Sequence, residues 1–323
     1  MIINNSQSDL RKDWYSISSD QKFSDTAPDY RKQRRPHKLC LCAPINTCYR
    51  PHIPFMGRLK NLLGSKFPGN FKLLEVGCGP GYFAELLKKE YQDRIQITAI
   101  DPSESAINQA KAKTDGGVDY RVATVADIST EEQLFDAILF TKSLHHVASL
   151  EETLGKAREL MKTDGVLVIE DVDFEALNER TVGWFMDRID LLHIAKVSHR
   201  HPEHEIASLL VQDMSVDSFK RWNTFFERAM KHHPMNHGHE HAMFGFKEML
   251  DGTKKVFGQK NVHINARTVN LFQFASYVLN LQDTEVHRSI LRTLLAQEQV
   301  AIEKDWINAT GVIMVAEKSN FIQ

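Results

Sequence analysis

The stretch of sequence that decides the fold is LLEVGCGPGYF, residues 73–83, in which an apolar run meets a glycine-rich turn. The apolar half is typical of a strand covered on both faces of a sheet. Gly77, Gly79 and Gly81 permit a sharp bend and let a ligand approach the backbone closely. The helix predicted next offers free N–H groups and a partial positive charge at its first turn. The turn therefore predicts a site for a polar or anionic ligand.

Short apolar strands alternate with helical segments on both sides of this turn. Strands are predicted at residues 72–76, 95–100, 118–122, 135–140 and 166–169, and helices at residues 82–90, 103–113 and 149–161. This alternation favours right-handed crossovers and a parallel sheet. We therefore predict an α/β fold with a doubly wound sheet, on which ligands lie beyond the carboxyl ends of the strands.

Two cofactor classes fit the glycine turn taken alone. Residues 79–84 satisfy a dinucleotide fingerprint, although this pattern starts late after the strand. The alternative is G-x-G-x-G preceded by an acid, which residues 77–81 and Glu75 provide. Asp101, at the end of the second strand, suits the ribose hydroxyls of either cofactor, so it does not discriminate.

The remaining strand ends complete a resemblance to one family. Residues 73–83 resemble the first motif of class I S-adenosylmethionine (SAM)-dependent methyltransferases, and residues 135–147, FDAILFTKSLHHV, resemble the fourth-strand motif of their small-molecule branch. The resemblance covers residues 70–173 and implies an enzyme that methylates a small molecule. It also implies a seven-stranded, mostly parallel, Rossmann-like sheet with a helical insertion between the fifth and sixth strands. The last two strands are then expected within residues 262–274 and 309–317.

The resemblance also implies cofactor contacts along the strand ends. In such enzymes the acid after the second strand accepts both ribose hydroxyls. The acid after the third strand accepts from the adenine amine and its neighbour packs on the ring, while the fourth strand end runs under the methionine moiety. With the glycine turn, the implied SAM contacts are Glu75, Gly77, Cys78, Gly79, Gly81, Tyr82, Asp101, Pro102, Asp127, Ile128, Phe140 and Thr141.

Candidates for the chemistry follow the fourth and fifth strands. Methyl transfer needs an aligned acceptor and, for a protonated acceptor, a base. His146 is the first candidate base and His145 the weaker one; alternatively His146 caps the turn or packs on the sheet. Candidate acceptor contacts are Glu170, Asp171, Asp173 and His193. The alternative for the three acids is a capping turn, with Asp173 as the N-cap of the next helix.

Composition divides the chain into four predicted parts. They are an N-terminal segment, residues 1–70, that covers the cofactor site; the SAM-binding core, residues 71–173; a helical lid that includes the sixth strand and selects the substrate, residues 174–305; and the last strand, residues 306–323. Apolar periodicity at residues 182–192 and 286–295 predicts buried helix faces within the lid.

Two clusters of histidine and cysteine raise the question of a metal. One contains His199, His201, His204, His237, His239 and His241, and the other contains His37, Cys40, Cys42, Cys48 and His52. The spacings match no common zinc site. Surface histidines and free thiols are the simpler interpretation, so we predict no metal.

Charge and hydropathy limit the partners. The chain has 40 basic and 42 acidic residues, without the dense basic face that tracks phosphates. The Asn/Asp-Pro-Pro-Tyr/Phe motif typical of nucleobase methylation is also absent from residues 135–147, which argues against nucleic acid as a partner. No apolar run approaches the ~18 residues of a membrane span, and the N-terminus lacks the apolar core of a signal peptide. We therefore expect a cytoplasmic protein that does not bind membranes; its oligomeric state is open.

Two other functions stay open at this stage. The first is methylation of a protein or RNA acceptor, with the basic run at residues 31–36 as a docking arm. The second is a non-catalytic, SAM-binding regulatory protein.

Overall fold

A seven-stranded sheet organises the part of the chain that the computed structural model describes, namely residues 53–113, 116–131, 134–197, 215–231, 243–279, 281 and 284–318. The strands are β1 (Phe71–Val76), β2 (Ile95–Asp101), β3 (Val118–Val122), β4 (Phe135–Thr141), β5 (Met161–Val172), β6 (Val262–Thr268) and β7 (Gly311–Glu317). Their order across the sheet is β3-β2-β1-β4-β5-β7-β6. Strands β1 to β5 are parallel, and β7 runs antiparallel to both β5 and β6. The predicted fold class is confirmed.

Helices cover both faces of this sheet. They are α1 (Ile53–Lys66), α2 (Tyr82–Tyr91), α3 (Glu104–Lys113), α4 (Leu150–Leu160), α5 (Glu179–Ile194), α6 (Ser218–Lys231), α7 (Phe246–Phe257), α8 (Leu271–Val278) and α9 (Glu285–Glu303). Helices α1, α2 and α3 pack on one face in a core that includes Leu59, Phe83 and Ile107. Helices α4 and α7 pack on the other through residues such as Leu154 and Met249. Burial on both faces explains why the strands read as continuous apolar runs.

A third core joins the helices of the C-terminal half. Trp222 packs edge-on against Phe185 and Phe274, which brings α5, α6 and α8 together. The predicted buried stripe of α5 is confirmed, whereas Val286, predicted to be buried in α9, is 66% exposed. The predicted insertion between β5 and β6 accounts for α5, α6 and α7, but α8 and α9 lie between β6 and β7.

Two element boundaries differ from the sequence-based prediction. Strand β5 begins at Met161, five residues early, because Met161 pairs with Phe135 before the register shifts between Phe135 and Ala137. Strand β6 ends at Thr268, and the last part of the predicted strand forms α8 instead. Among the described helices, none is long and apolar enough to cross a membrane.

Candidate cofactor and catalytic site

The glycine turn lies at the carboxyl end of β1 and adopts backbone conformations that side chains disfavour. Gly77, Gly79 and Gly81 have φ angles of +74°, +52° and +77°. A Cβ added to Gly77 would lie 2.4 Å from the Cβ of Ser143, and one added to Gly81 would lie 2.4 Å from the Tyr120 hydroxyl oxygen. Both sterics and backbone geometry therefore require glycine at these two positions.

Two side chains from neighbouring strands hold the turn in place. The Tyr120 hydroxyl, on β3, lies 3.1 Å from the Gly81 carbonyl oxygen and 3.0 Å from Glu85 Oε1. The Ser143 hydroxyl, just beyond β4, donates to the Val76 carbonyl oxygen at 2.6 Å. Sequence analysis missed Tyr120 and Ser143, because their proximity to the turn depends on strand register.

Asp101 ties the end of β2 to the glycine turn. Its Oδ2 accepts a hydrogen bond from the Gly79 amide at 2.8 Å, and its Oδ1 accepts one from the Ser103 amide at 2.8 Å. A carboxylate has about four acceptor positions, so two remain for other donors. Burial raises the pKa of Asp101, and the two amide hydrogen bonds partly offset that effect. Pro102, the next residue, is exposed.

Glu75 is a buried acid directly below the turn. The Thr141 hydroxyl donates to its Oε1 at 2.9 Å, while its Oε2 has no hydrogen-bond partner among the described residues. Burial raises the pKa of Glu75 to about 8, against a smaller lowering by Thr141. Its neighbour Cys78 is also buried, and burial raises the pKa of that thiol.

The other implied cofactor residues follow β1 and β3 along the chain or lie at the end of β4. Asp127 is exposed, and its Oδ2 accepts from the amide and hydroxyl of Thr124 at 2.8 and 2.7 Å, which lowers the Asp127 pKa. Ile128 and Phe140 are buried in the core around β4. Tyr82 is half-buried, with the Lys113 ammonium nitrogen 3.9 Å from its ring centroid.

The residues present at this edge fit SAM. Gly77, Gly79 and Gly81 place no side chain between their backbone and a ligand. Asp101 retains acceptor positions for a ribose diol. The unpartnered Oε2 of Glu75 is a buried acceptor beside the turn, which suits a donor group such as an ammonium.

The two histidines after β4 have different environments. His145 is fully buried, its Nδ1 lies 2.6 Å from Asp171 Oδ1, and its ring packs edge-on against Phe174. His146 is half-buried, with its ring centroid 3.9 Å from that of His145. Of the two predicted bases, His145 is enclosed by its neighbours and His146 is partly exposed.

The acids predicted to contact the acceptor are paired within the fold. Glu170 lies 3.1 Å from the Lys142 ammonium nitrogen, and all three acids are buried. Asp171 pairs with His145 and also accepts from the Val172 amide at 2.8 Å. Asp173 pairs with Arg267 and caps the 3-10 turn Phe174–Ala176. All three acids are thus engaged by partners within the fold, and their contact with an acceptor stays a prediction. The structure supports the capping alternative for Asp173.

The remaining candidates lie elsewhere or outside the described residues. His193 is half-buried in the last turn of α5. The histidine cluster at 199–241, the cysteine cluster at 37–52 and the basic run at 31–36 lie outside the described residues. Among the described residues, no group of histidine, cysteine and acidic side chains could hold a metal.

Comparison with known proteins decides the family. A family model described as a methyltransferase domain matches residues 49–213, slightly more than half of the chain. The chain belongs to this methyltransferase family. The match confirms the predicted relation to class I methyltransferases, whose cofactor is SAM.

The relatives of this chain align with it over only part of their own length. A ubiquinone biosynthesis O-methyltransferase of Rhodopseudomonas palustris (strain HaA2) is 34% identical over 101 residues, which is 30% of this chain and 38% of that protein. One of Bradyrhizobium sp. (strain ORS 278) is 26% identical over 161 residues, which is 49% of this chain and 61% of that protein. The chain thus spans less than two thirds of either relative. Among solved structures, the plantazolicin methyltransferase BpumL, in complex with a triazolic desmethylPZN analog and SAH, is 14% identical with a TM-score of 0.45; the alignment covers 84% of this chain and 85% of that one.

Proposed function

We propose that this protein transfers a methyl group from SAM to an oxygen, nitrogen or carbon atom of a small molecule. The observation that carries the proposal is the Asp101 carboxylate, which bridges the Gly79 and Ser103 amides and retains acceptor positions at the edge of the sheet. Bound SAM supplies an electrophilic methyl carbon on a positively charged sulfur. The protein's own task is to bind, orient and exclude water.

The proposed cofactor contacts follow the strand ends. Asp101 accepts the ribose hydroxyls, and the free Oε2 of Glu75 accepts from the amino group of the methionine moiety. Asp127 accepts from the adenine amine, although the geometry shows one of its oxygens already bonded to Thr124. Ile128 offers an apolar side chain beside it. Residues 1–70 as a cover and residues 174–305 as a lid are parts of the same proposal.

We assign His146 as the base for an acceptor that must lose a proton. Its ring lies against His145, whose position the buried Asp171 carboxylate fixes. His145 therefore holds His146 and does not touch the acceptor. A partly exposed imidazole can accept a proton from a hydroxyl group and release it to water.

The acceptor atom we favour is oxygen. The relatives are O-methyltransferases of ubiquinone biosynthesis by name, which supports a hydroxyl on a small organic molecule. The apolar helical core of α5, α6 and α8 supports an acceptor with apolar surface, since this layer packs against the residues that follow β5.

A transfer assay with methyl-labelled SAM tests the proposal. Small phenols, catechols and amines serve as acceptors, and the wild type is compared with His146→Ala and with His263→Ala, whose histidine is exposed on β6. We expect labelled phenol or catechol from the wild type and His263→Ala, and a loss of about 100-fold or more for His146→Ala. Equal transfer by His146→Ala would remove the proposed base, and label on amines alone would contradict the oxygen acceptor.

A further inference from the structure

A buried ion-pair network lies directly beyond β4, and its lysine, Lys142, has no role assigned above. The Lys142 side chain is almost fully buried. Its ammonium nitrogen donates to Asn270 Oδ1 at 2.5 Å and lies 3.1 Å from Glu170 Oε1. A buried lysine is costly unless it is paired, so these contacts fix the side chain in one arrangement.

The backbone of Lys142 is also unusual. Its φ of +56° places a long side chain in the left-handed region, a conformation that costs on the order of 1–3 kcal/mol and persists only where the surroundings impose it. Its amide donates to the Glu170 carbonyl oxygen at 2.7 Å. The backbone and the side chain of Lys142 thus both contact Glu170 of β5.

The residues on either side of Lys142 hold the cofactor turn. Thr141 donates to Glu75 at 2.9 Å, and Ser143 donates to the Val76 carbonyl oxygen at 2.6 Å while filling the space beside Gly77. A displacement of Lys142 therefore moves both contacts, because each belongs to an adjacent residue.

The other end of the network is the start of α8. Glu298 of α9 accepts hydrogen bonds from the amides of Asn270, Leu271 and Phe272 at 2.6, 2.8 and 3.0 Å. These N–H groups lie at the N-terminus of α8, where the helix itself offers them no acceptor. Asn270 thus links the two parts of the network: its backbone amide donates to Glu298, and its side-chain oxygen accepts from Lys142.

We propose that Lys142 is a positioning residue that couples cofactor binding to the first turn of α8. The inference rests on the proposed function, because it takes the glycine turn as the cofactor site. A ligand that orders Glu75 and Gly77 also orders Thr141 and Ser143, because these two residues contact the turn. Lys142 lies between them and passes the ordering to Asn270 and the first amides of α8. Cofactor binding then prepares the helical layer on the acceptor side before the acceptor arrives.

Amide hydrogen exchange, measured with and without S-adenosylhomocysteine (SAH), tests this coupling. In the wild type we expect saturating SAH to slow exchange of the amides at residues 270–272 by about 5-fold or more, the size of an ordinary coupling free energy. Calorimetry on the same sample confirms that SAH is bound. SAH binding without slower exchange at 270–272 overturns the coupling and leaves the proposed function standing. No SAH binding overturns both.

Variants identify the residue that carries the coupling. Lys142→Met/Glu170→Leu removes both charges, so that no unpaired charge stays buried; we expect it to bind SAH with loss of the SAH-dependent protection. Lys142→Arg keeps the charge and is expected to retain part of the SAH-dependent protection. The matched control is Lys162→Met, which breaks the pair with Asp136 at the opposite end of β4. This variant should retain all of the SAH-dependent protection. Full protection in the double variant overturns the role of Lys142, and the wild-type measurement stands even where a variant does not fold.

Discussion

Glu298 lowers the stability of the fold as the pH rises, whereas a salt-bridged acid raises the stability over the same change. The side chain is 1% exposed, and burial raises its pKa to about 7, against smaller lowering by the amides of Asn270, Leu271 and Phe272 and by Lys142. A raised folded-state pKa contributes stability that is fully present below the unfolded value of 4.5 and is lost as the pH rises toward 7.

The size of this effect follows from the two pKa values. The rise from 4.5 to about 7 corresponds to roughly 2.5 pKa units, and each unit is worth about 1.4 kcal/mol, which gives about 3 kcal/mol. The perturbation is Glu298→Gln, which keeps one of the two oxygens that accept from the α8 amides and removes the titration. Glu75, whose pKa is raised to about 8, contributes in the same direction and is unchanged by the substitution.

Chemical denaturation at pH 4.5 and pH 8 measures the prediction. We expect the free energy of unfolding to fall less between these pH values in Glu298→Gln than in the wild type, by about 3 kcal/mol. Glu303→Gln is the matched control, since Glu303 lies on the same helix, is exposed, and bonds to Gln299. Equal pH dependence in Glu298→Gln and the wild type would refute the reasoning.

Three further substitutions test the site and its support. Asp101→Ala leaves the Gly79 and Ser103 amides without an acceptor, so the Kd for SAH should rise by about 100-fold or more in calorimetry; an unchanged Kd contradicts the assignment. Gly77→Ala puts a Cβ 2.4 Å from Ser143 at φ +74°, so we expect a loss of stability on the order of 1–3 kcal/mol and weaker SAH binding. Gly155→Ala, with open space around the new Cβ, serves as its control, and equal stability of the two variants would count against the steric argument. Asp171→Ala removes the hydrogen-bond partner of the buried His145 Nδ1 and should destabilise the fold by about 1–3 kcal/mol in thermal unfolding; a shift in the melting temperature no larger than that of an exposed substitution would be inconsistent with the pair.

The elements that sequence analysis predicted correctly are those that local pattern determines. The apolar run of β1 and the bend at Gly77, Gly79 and Gly81 each depend on neighbouring residues. The start of α8 could not be predicted, because its cap is Glu298, which follows Asn270 by 28 residues.

The candidate site was predictable only in part for the same reason. The glycines form a contiguous motif and Asp101 ends the next strand, whereas the pairing of the β5 acids depends on distant partners. Asp173 pairs with Arg267, 94 residues away, and Asp171 pairs with His145 across two strand ends. One signal was available: Glu298 falls on the same helical face as Leu291 and Leu294, and an acid within an apolar stripe indicates a buried polar contact.

Cofactor binding is the central claim, and isothermal titration calorimetry tests it most directly. Purified protein is titrated with SAM, with SAH and with NAD, because the glycine turn alone also fits a dinucleotide fingerprint. The account predicts that SAM and SAH bind with Kd values on the order of micromolar and that NAD gives no heat of binding. Binding of NAD alone, or of none of the three, would contradict it.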